Sequence, residues 1–225
     1  PSSSTIILGG AGKNISGNTT FNKVDITGSY THLSDIVYNS LLHITSTGSV
    51  TSGTGIFTTL HGDLINNGVL NTSGTTTFSG NVLQTLSLIN AVSTYALTVN
   101  FNGSVSPVLN STSAPQFGYL NINNTGGVNP SVGWTVAYRL SIGAGASFNG
   151  GISTHNLMGD LVNNGTITSS GTINFNPITA VNINMGNNFT STGRVLFAGT
   201  GAMTLAGNPV SFRSITISNN HASGV

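Results

Sequence analysis

The chain has 225 residues, of which 4% are charged and 37% hydrophobic, with five Lys or Arg, four Asp, no Glu and a formal net charge of +1. Ordinary soluble domains carry roughly 25% charged residues, so the composition argues against a typical cytosolic enzyme, and the even spread of Ile, Val, Leu and Phe argues against disorder. Without clustered Lys and Arg nucleic acid is not an expected partner, and without cysteine a disulfide framework or thiolate metal site is excluded.

The start, Pro1 to Ser4, has no signal-peptide pattern, and no run approaches the roughly 20 apolar residues that span a bilayer, so this segment is not expected to insert into a membrane. The chain reads as an excerpt of a longer one.

Taken in order, the predicted elements repeat. Leu8, Gly10 and Gly12 open the chain and match Phe197, Gly199 and Gly201. Phe21, Val24 and Ile26 form a pattern that returns 96 residues on as Phe117, Leu120 and Ile122, then 95 residues further as Phe212, Ile215 and Ile217. Leu60, Gly62, Asp63, Leu64, Asn67 and Gly68 return 97 residues on as Leu157, Gly159, Asp160, Leu161, Asn164 and Gly165, and the match extends to Gly74 with Gly171 and Phe78 with Phe175. Val99 and Phe101 pair with Val195 and Phe197 at 96. One continuous array over 1–225 follows, with a partial unit 1–20, full units 21–116 and 117–211, and a partial unit 212–225.

Within a unit, short stretches such as Leu140, Ser141 and Ile142, or Ile173, Asn174 and Phe175, alternate apolar and polar residues as half-buried strands do. Asn67-Gly68, Ser73-Gly74, Asn164-Gly165 and Ser170-Gly171 punctuate them, where positive φ is easily adopted. The expected fold is all-β, a right-handed parallel β-helix (β-solenoid) with coils of roughly 20 residues, four or five per unit, and equivalent positions lying above one another. Tandem β-sandwich repeats are the alternative. Phe21, Phe117 and Phe212, with Ile26, Ile122 and Ile217, should point inward.

The stretch from Val195 to Asn220, together with Gly62 to Gly68, resembles repeats of very long secreted, adhesin-like surface proteins of Bacteroidota, exported by the type IX secretion system. The resemblance implies an extracellular or bacterial cell-surface location and contact with secretion machinery. Filamentous-haemagglutinin-like solenoids share the texture and would imply another export route. No functional residue transfers from either.

Candidate sites are few. Asp63 and Asp160 occupy equivalent positions some coils apart, too distant to act as an acid and base pair, and each is expected to bond backbone N–H groups. His61 with Asp63, or His32 with Asp35, has a spacing seen in metal sites, but a lone pair fills little of a coordination shell, and a solvated strand edge is the competing reading. Gly-x-Ser-x-Gly is absent. No catalytic residue, metal ligand or cofactor is expected. Trp134 with Tyr138 and Tyr119 forms the one aromatic concentration and could stack a sugar, or Trp134 could fill an irregular coil near Val128 and Pro130. The array of Thr75, Thr76 and Thr77 suggests an ice-binding face, yet Ile173 and Asn174 break it in the next unit. The expected function is a non-catalytic structural or adhesive shaft, its partners being neighbouring repeats, other shafts or surface glycans. A carbohydrate-binding solenoid module is the alternative, with a polysaccharide-processing enzyme further behind.

Overall fold

Alternation sets each strand. In Asp63–Asn66 the side chains of Leu64 and Asn66 are buried while Asp63 and Ile65 stay half-exposed, and Asp160–Asn163 repeats the pattern. Strands of this kind bury one face only, and a parallel sheet closed into a coil supplies the place to bury it. The structure is a computed structural model that describes residues 4–88, 94–208 and 210–223. Twenty-four strands and no helix occur among the described residues.

Every pairing between those strands is parallel, and partners lie between 17 and 23 residues apart, as from Phe21 to Tyr38 and from Phe78 to Phe101. Such pairing builds about ten stacked turns of a β-solenoid. Sandwiches would have required antiparallel hairpins, so the alternative fold is excluded.

Three columns of paired residues run along the stack. On the first face Leu8 lies under Ile26, Ile44 and Asn66. On the second Ile15 lies under His32, Ser52 and Thr72. On the third Phe21 leads through Tyr38, Leu60, Phe78 and Phe101 to Ile122 and Ile142. The chain visits these faces in rotation. Where a corner is gentle, one long strand such as Ile36–Ile44 serves two faces; where it is sharp, two short ones do, as with Phe57–Leu60 and Asp63–Asn66 above it.

The 96-residue unit does not contain a whole number of turns. Four turns above Phe21 lies Phe101 and five turns above lies Ile122, both in its own column, whereas Phe117 falls between them, in the column that runs from Tyr95 through Phe117 to Val136, Leu157, Phe175, Phe197 and Ile217. Phe117 is thus four turns and two faces beyond Phe21, so a unit spans 4⅔ turns and each unit starts one face round from the last. Phe212 repeats the step, lying just before Ile217 and beside Ser191. Equivalent residues therefore do not stack above one another, contrary to the expectation from the repeat alone. What recurs is the local neighbourhood: Phe21 sits under Tyr38 and Leu60 as Phe117 sits under Val136 and Leu157.

The lumen is apolar and partly aromatic. Phe78 stacks on Phe101 with ring centres 5.1 Å apart, and Phe175 on Phe197 at 5.2 Å. Phe117 and Ile122 are buried, as is Ile26. Phe21 and Phe212 are only partly covered, and Ile217 is exposed, because these residues lie near the ends of the described stack.

Positive φ does occur in turns of the coil, at Gly55, Gly127 and Gly145 among others, but not at the four glycines from which it was expected. Gly68, Gly74, Gly165 and Gly171 are not among the residues with positive φ. They are sites of close approach instead. A Cβ on Gly68 would lie 2.2 Å from the Gly48 carbonyl oxygen, and one on Gly165 would lie 2.3 Å from that of Ala146. At the sharp corner before each Asp the coincidence is closer still: Cβ atoms on Gly62 and Gly159 would meet the carbonyl oxygens of Ser40 and Tyr138 at 2.1 and 2.0 Å. Backbone cannot yield as a side chain can. Gly62→Ala and Gly159→Ala are each expected to lower stability by about 1–3 kcal/mol, the usual cost of overpacking, and urea titration followed by circular dichroism measures it. An unchanged midpoint in both variants would contradict the close stacking.

Candidate functional site: outward ladders and an aromatic pair

Outward side chains in a parallel coil stand one rung apart, about 4.8 Å, so a polar residue finds a partner directly above it. Asn121 donates through Nδ2 to Asn100 Oδ1 at 2.8 Å, and Asn100 donates to Thr77 Oγ1 at 3.2 Å. The same device joins Asn174 to Asn156 at 2.9 Å, Asn208 to Asn187 at 2.7 Å and Thr31 to Thr51 at 3.0 Å. Thr75, Thr76 and Thr77 do not form one flat array, since Thr76 points inward and bonds Thr72 at 3.1 Å.

The aspartates act on the backbone. Asp63 accepts from the Thr85 N–H at 2.7 Å and Asp160 from the Asn182 N–H at 2.8 Å, each 22 residues on, where the next turn's strand begins. Asp35 does the same for the Phe57 N–H at 2.9 Å. Neither suggested metal pair converges: His61 bonds Ser79 at 3.0 Å while Asp63 caps Thr85, and His32 turns into the core while Asp35 caps Phe57. Asp25 instead pairs with His43 at 3.1 Å. Among the described residues no three His, Cys, Asp or Glu side chains gather.

His32 is not the solvated edge residue expected. It is fully buried, hydrogen-bonded to the Tyr38 hydroxyl at 3.0 Å and to Thr58 Oγ1 at 3.3 Å. His155, also buried, accepts the Trp134 N–H at Nδ1 (3.1 Å), so its Nε2–H donates to the Gly150 carbonyl at 2.9 Å. The neutral ring therefore ties two turns together.

Trp134 lies in the lumen, with only 3% of its surface exposed. It contacts the rings of Phe117 at 5.0 Å, Phe101 at 5.8 Å and Phe148 at 5.8 Å, filling the irregular turn around buried Val128. Its ring is not available to a sugar. Tyr119 and Tyr138 stay outside, with ring centres 5.3 Å apart, Tyr138 56% exposed, and the Arg139 guanidinium 5.6 Å from the Tyr119 ring centre. Tyr138 stands at the gentle corner beneath Gly159, where the first unit has Ser40 beneath Gly62. Elsewhere, Asn163, Asn164, Asn184, Asn187 and Asn208 line an open polar cleft of about 440 Å³.

Comparison with protein-family models, curated proteins and solved structures gave no match.

Burial holds the His32 imidazole down to about 4 from an ordinary 6.5, and lowers that of His155 in the same direction. The unfolded chain therefore takes up these protons first. The stability of the neutral buried rings is fully present above pH 6.5 and is lost as pH falls from there towards 4, by an amount on the order of 3 kcal/mol for His32. Urea unfolding at pH 7 and pH 4.5 should show that loss, and His32→Gln should remove much of it. An equal loss in the variant would assign the effect elsewhere.

Proposed function

We propose that this segment is a non-catalytic structural or adhesive shaft of a large bacterial surface protein. The observation that supports the reading is the continuous lumen: each turn buries its apolar residues against the turns beside it, so added units lengthen the rod without a new fold. Its outer face carries laddered Asn, Thr and Ser with few charges, which suits broad, weak contact with glycans or neighbouring shafts. Type IX export and a cell-surface location rest on the sequence resemblance alone. Antibodies raised to the segment should label intact cells that express the parent protein; labelling only after permeabilisation would overturn the shaft reading.

A carbohydrate-binding module is the second reading, and the aromatic pair with its arginine favours a different place for it than Trp134. Exposed aromatic faces stack on sugar rings, and Arg139 adds hydrogen-bond donors beside them. In a glycan screen this reading expects saturable binding that weakens at least tenfold on Tyr138→Ala while the unfolding midpoint stays unchanged. Trp134→Ala should instead cost about 3–5 kcal/mol of stability, as large core truncations do. Absence of saturable binding leaves the shaft reading as the one supported.

A further inference from the structure

Three outward residues at one place set the second unit apart from the first. Register puts Tyr119 under Arg139, with Tyr138 beside the arginine at the corner; in the first unit the same register puts Lys23 under Leu41, with Ser40 at the corner. The scaffold around them does not change. Gly159 stands over Tyr138 as Gly62 stands over Ser40, and Asp160 lies one rung above Arg139 as Asp63 lies above Leu41. A corner that is built equally well with Lys, Ser and Leu does not need Tyr, Tyr and Arg for its own geometry.

The arginine is also left without an ionic partner by the rod. Asp160 is its neighbour by register, but Asp160 Oδ1 accepts the Asn182 N–H at 2.8 Å, the same cap that Asp63 makes to Thr85 with no cation beneath it. Among the described residues the one close pair of opposite charges is Asp25 with His43. The exposed Arg139 guanidinium instead lies 5.6 Å from the Tyr119 ring centre, and Tyr119 lies 5.3 Å from Tyr138. Contact with an aromatic face orients a guanidinium without neutralising it.

We infer that Tyr119, Tyr138 and Arg139 bind a uronic-acid residue of an acidic polysaccharide, the sugar ring lying on Tyr138 and its carboxylate on the Arg139 guanidinium. This rests on the carbohydrate-binding reading and names the ligand class of that site. A neutral sugar would use the rings and leave the cation unpaired, whereas an acidic peptide would use the cation and leave the rings without a flat partner. A carboxylate matches the planar guanidinium with two parallel hydrogen bonds, and a pyranose offers the rings an apolar face. Asp160 sets the direction of approach: its charge one rung above repels a second carboxylate, so the acid group enters from the Tyr119 side. A formal net charge of +1 gives the chain no general attraction for polyanions, so the affinity belongs to this site.

The test is calorimetric titration of the whole chain with polygalacturonate, alginate and hyaluronan, each beside its carboxyl methyl ester, and with polyglutamate as an acidic polymer that is not a sugar. At least one acidic polysaccharide should bind saturably, at least tenfold tighter than its neutral ester and than polyglutamate, and more weakly as salt rises. Arg139→Gln should weaken that binding at least tenfold. So should the combined variant Tyr119→Lys, Tyr138→Ser and Arg139→Leu, which keeps the net charge and restores the residues that the first unit accommodates as Lys23, Ser40 and Leu41; its unfolding midpoint should stay unchanged. Equal affinity for acid and ester, equal affinity for polyglutamate, or undiminished binding by the combined variant overturns the inference. Failure of all three acidic polysaccharides to bind also overturns it. In that event saturable binding of a neutral glycan, lost on Tyr138→Ala, leaves the carbohydrate-binding reading standing, and its absence removes both.

Discussion

The spacing of the parallel backbone ladder governs this molecule. Successive turns lie one hydrogen-bonded rung apart, about 4.8 Å, so whatever stands on one turn must tolerate its neighbour at that distance. At the corners of Gly62 and Gly159 even a methyl group is too large, because these residues stand over the backbones of Ser40 and Tyr138. In the lumen the same spacing lets flat rings stack, as Phe175 does on Phe197 with planes 12° apart. Outside, it puts side chains of adjacent turns in hydrogen-bond range. The scarcity of charge has a physical explanation here, since like charges directly opposite on neighbouring strands are destabilising, whereas amides and hydroxyls can both donate and accept up a column.

That constraint acts between adjacent turns and is indifferent to which face a residue occupies. A repeat of 4⅔ turns is therefore tolerated: Leu157 needs Val136 beneath it and Phe175 above, and finds them one face round from where Leu60 finds Tyr38 and Phe78. Surface features inherit the rotation. The gentle corner that carries Ser40 in the first unit carries Tyr138 in the second and points in another direction. Three units in the same phase would bring the corner back to its original face, so an array of them would present any such feature in three directions along its length.

Much of this was legible in sequence. The repeated blocks, the alternation and the Asn-Gly and Ser-Gly punctuation pointed to the parallel stack, and the shared geometry of Asp63 and Asp160 as backbone caps follows from their equivalent setting. The rotation was hidden because turns vary from 17 to 23 residues, so no uniform coil period shows how many faces separate Phe21 from Phe117. The role of the corner glycines was misread because close approach depends on the turn beneath, which adjacent residues do not reveal. His32 and Trp134 were obscure for a related reason. A His on a short strand is inside or outside according to its column, and His32 is inside because Ile15 and Ser52 lie below and above it. Trp134 is inside because Phe101, Phe117 and Phe148 surround it, residues separated from it by most of a turn or more.

The ladders also bear on where recognition could reside. An Asn whose Nδ2 already donates to the next rung, as Asn121 does to Asn100, has one fewer donor to offer a ligand, and moving it would break a bond on the rod itself. Such a surface is self-satisfied, so its contacts with a partner are exchanges of one hydrogen bond for another and add little net free energy each. Affinity on these faces has to come from the number of contacts along the axis. A strong local site requires a break in the ladder where apolar surface is offered, and Tyr119 and Tyr138 make such a break, with the Arg139 guanidinium over the Tyr119 ring. Distributed weak contact and one localised aromatic site are thus separable by substitution: changing a single ladder Asn should scarcely alter the first, while loss of Tyr138 removes the second.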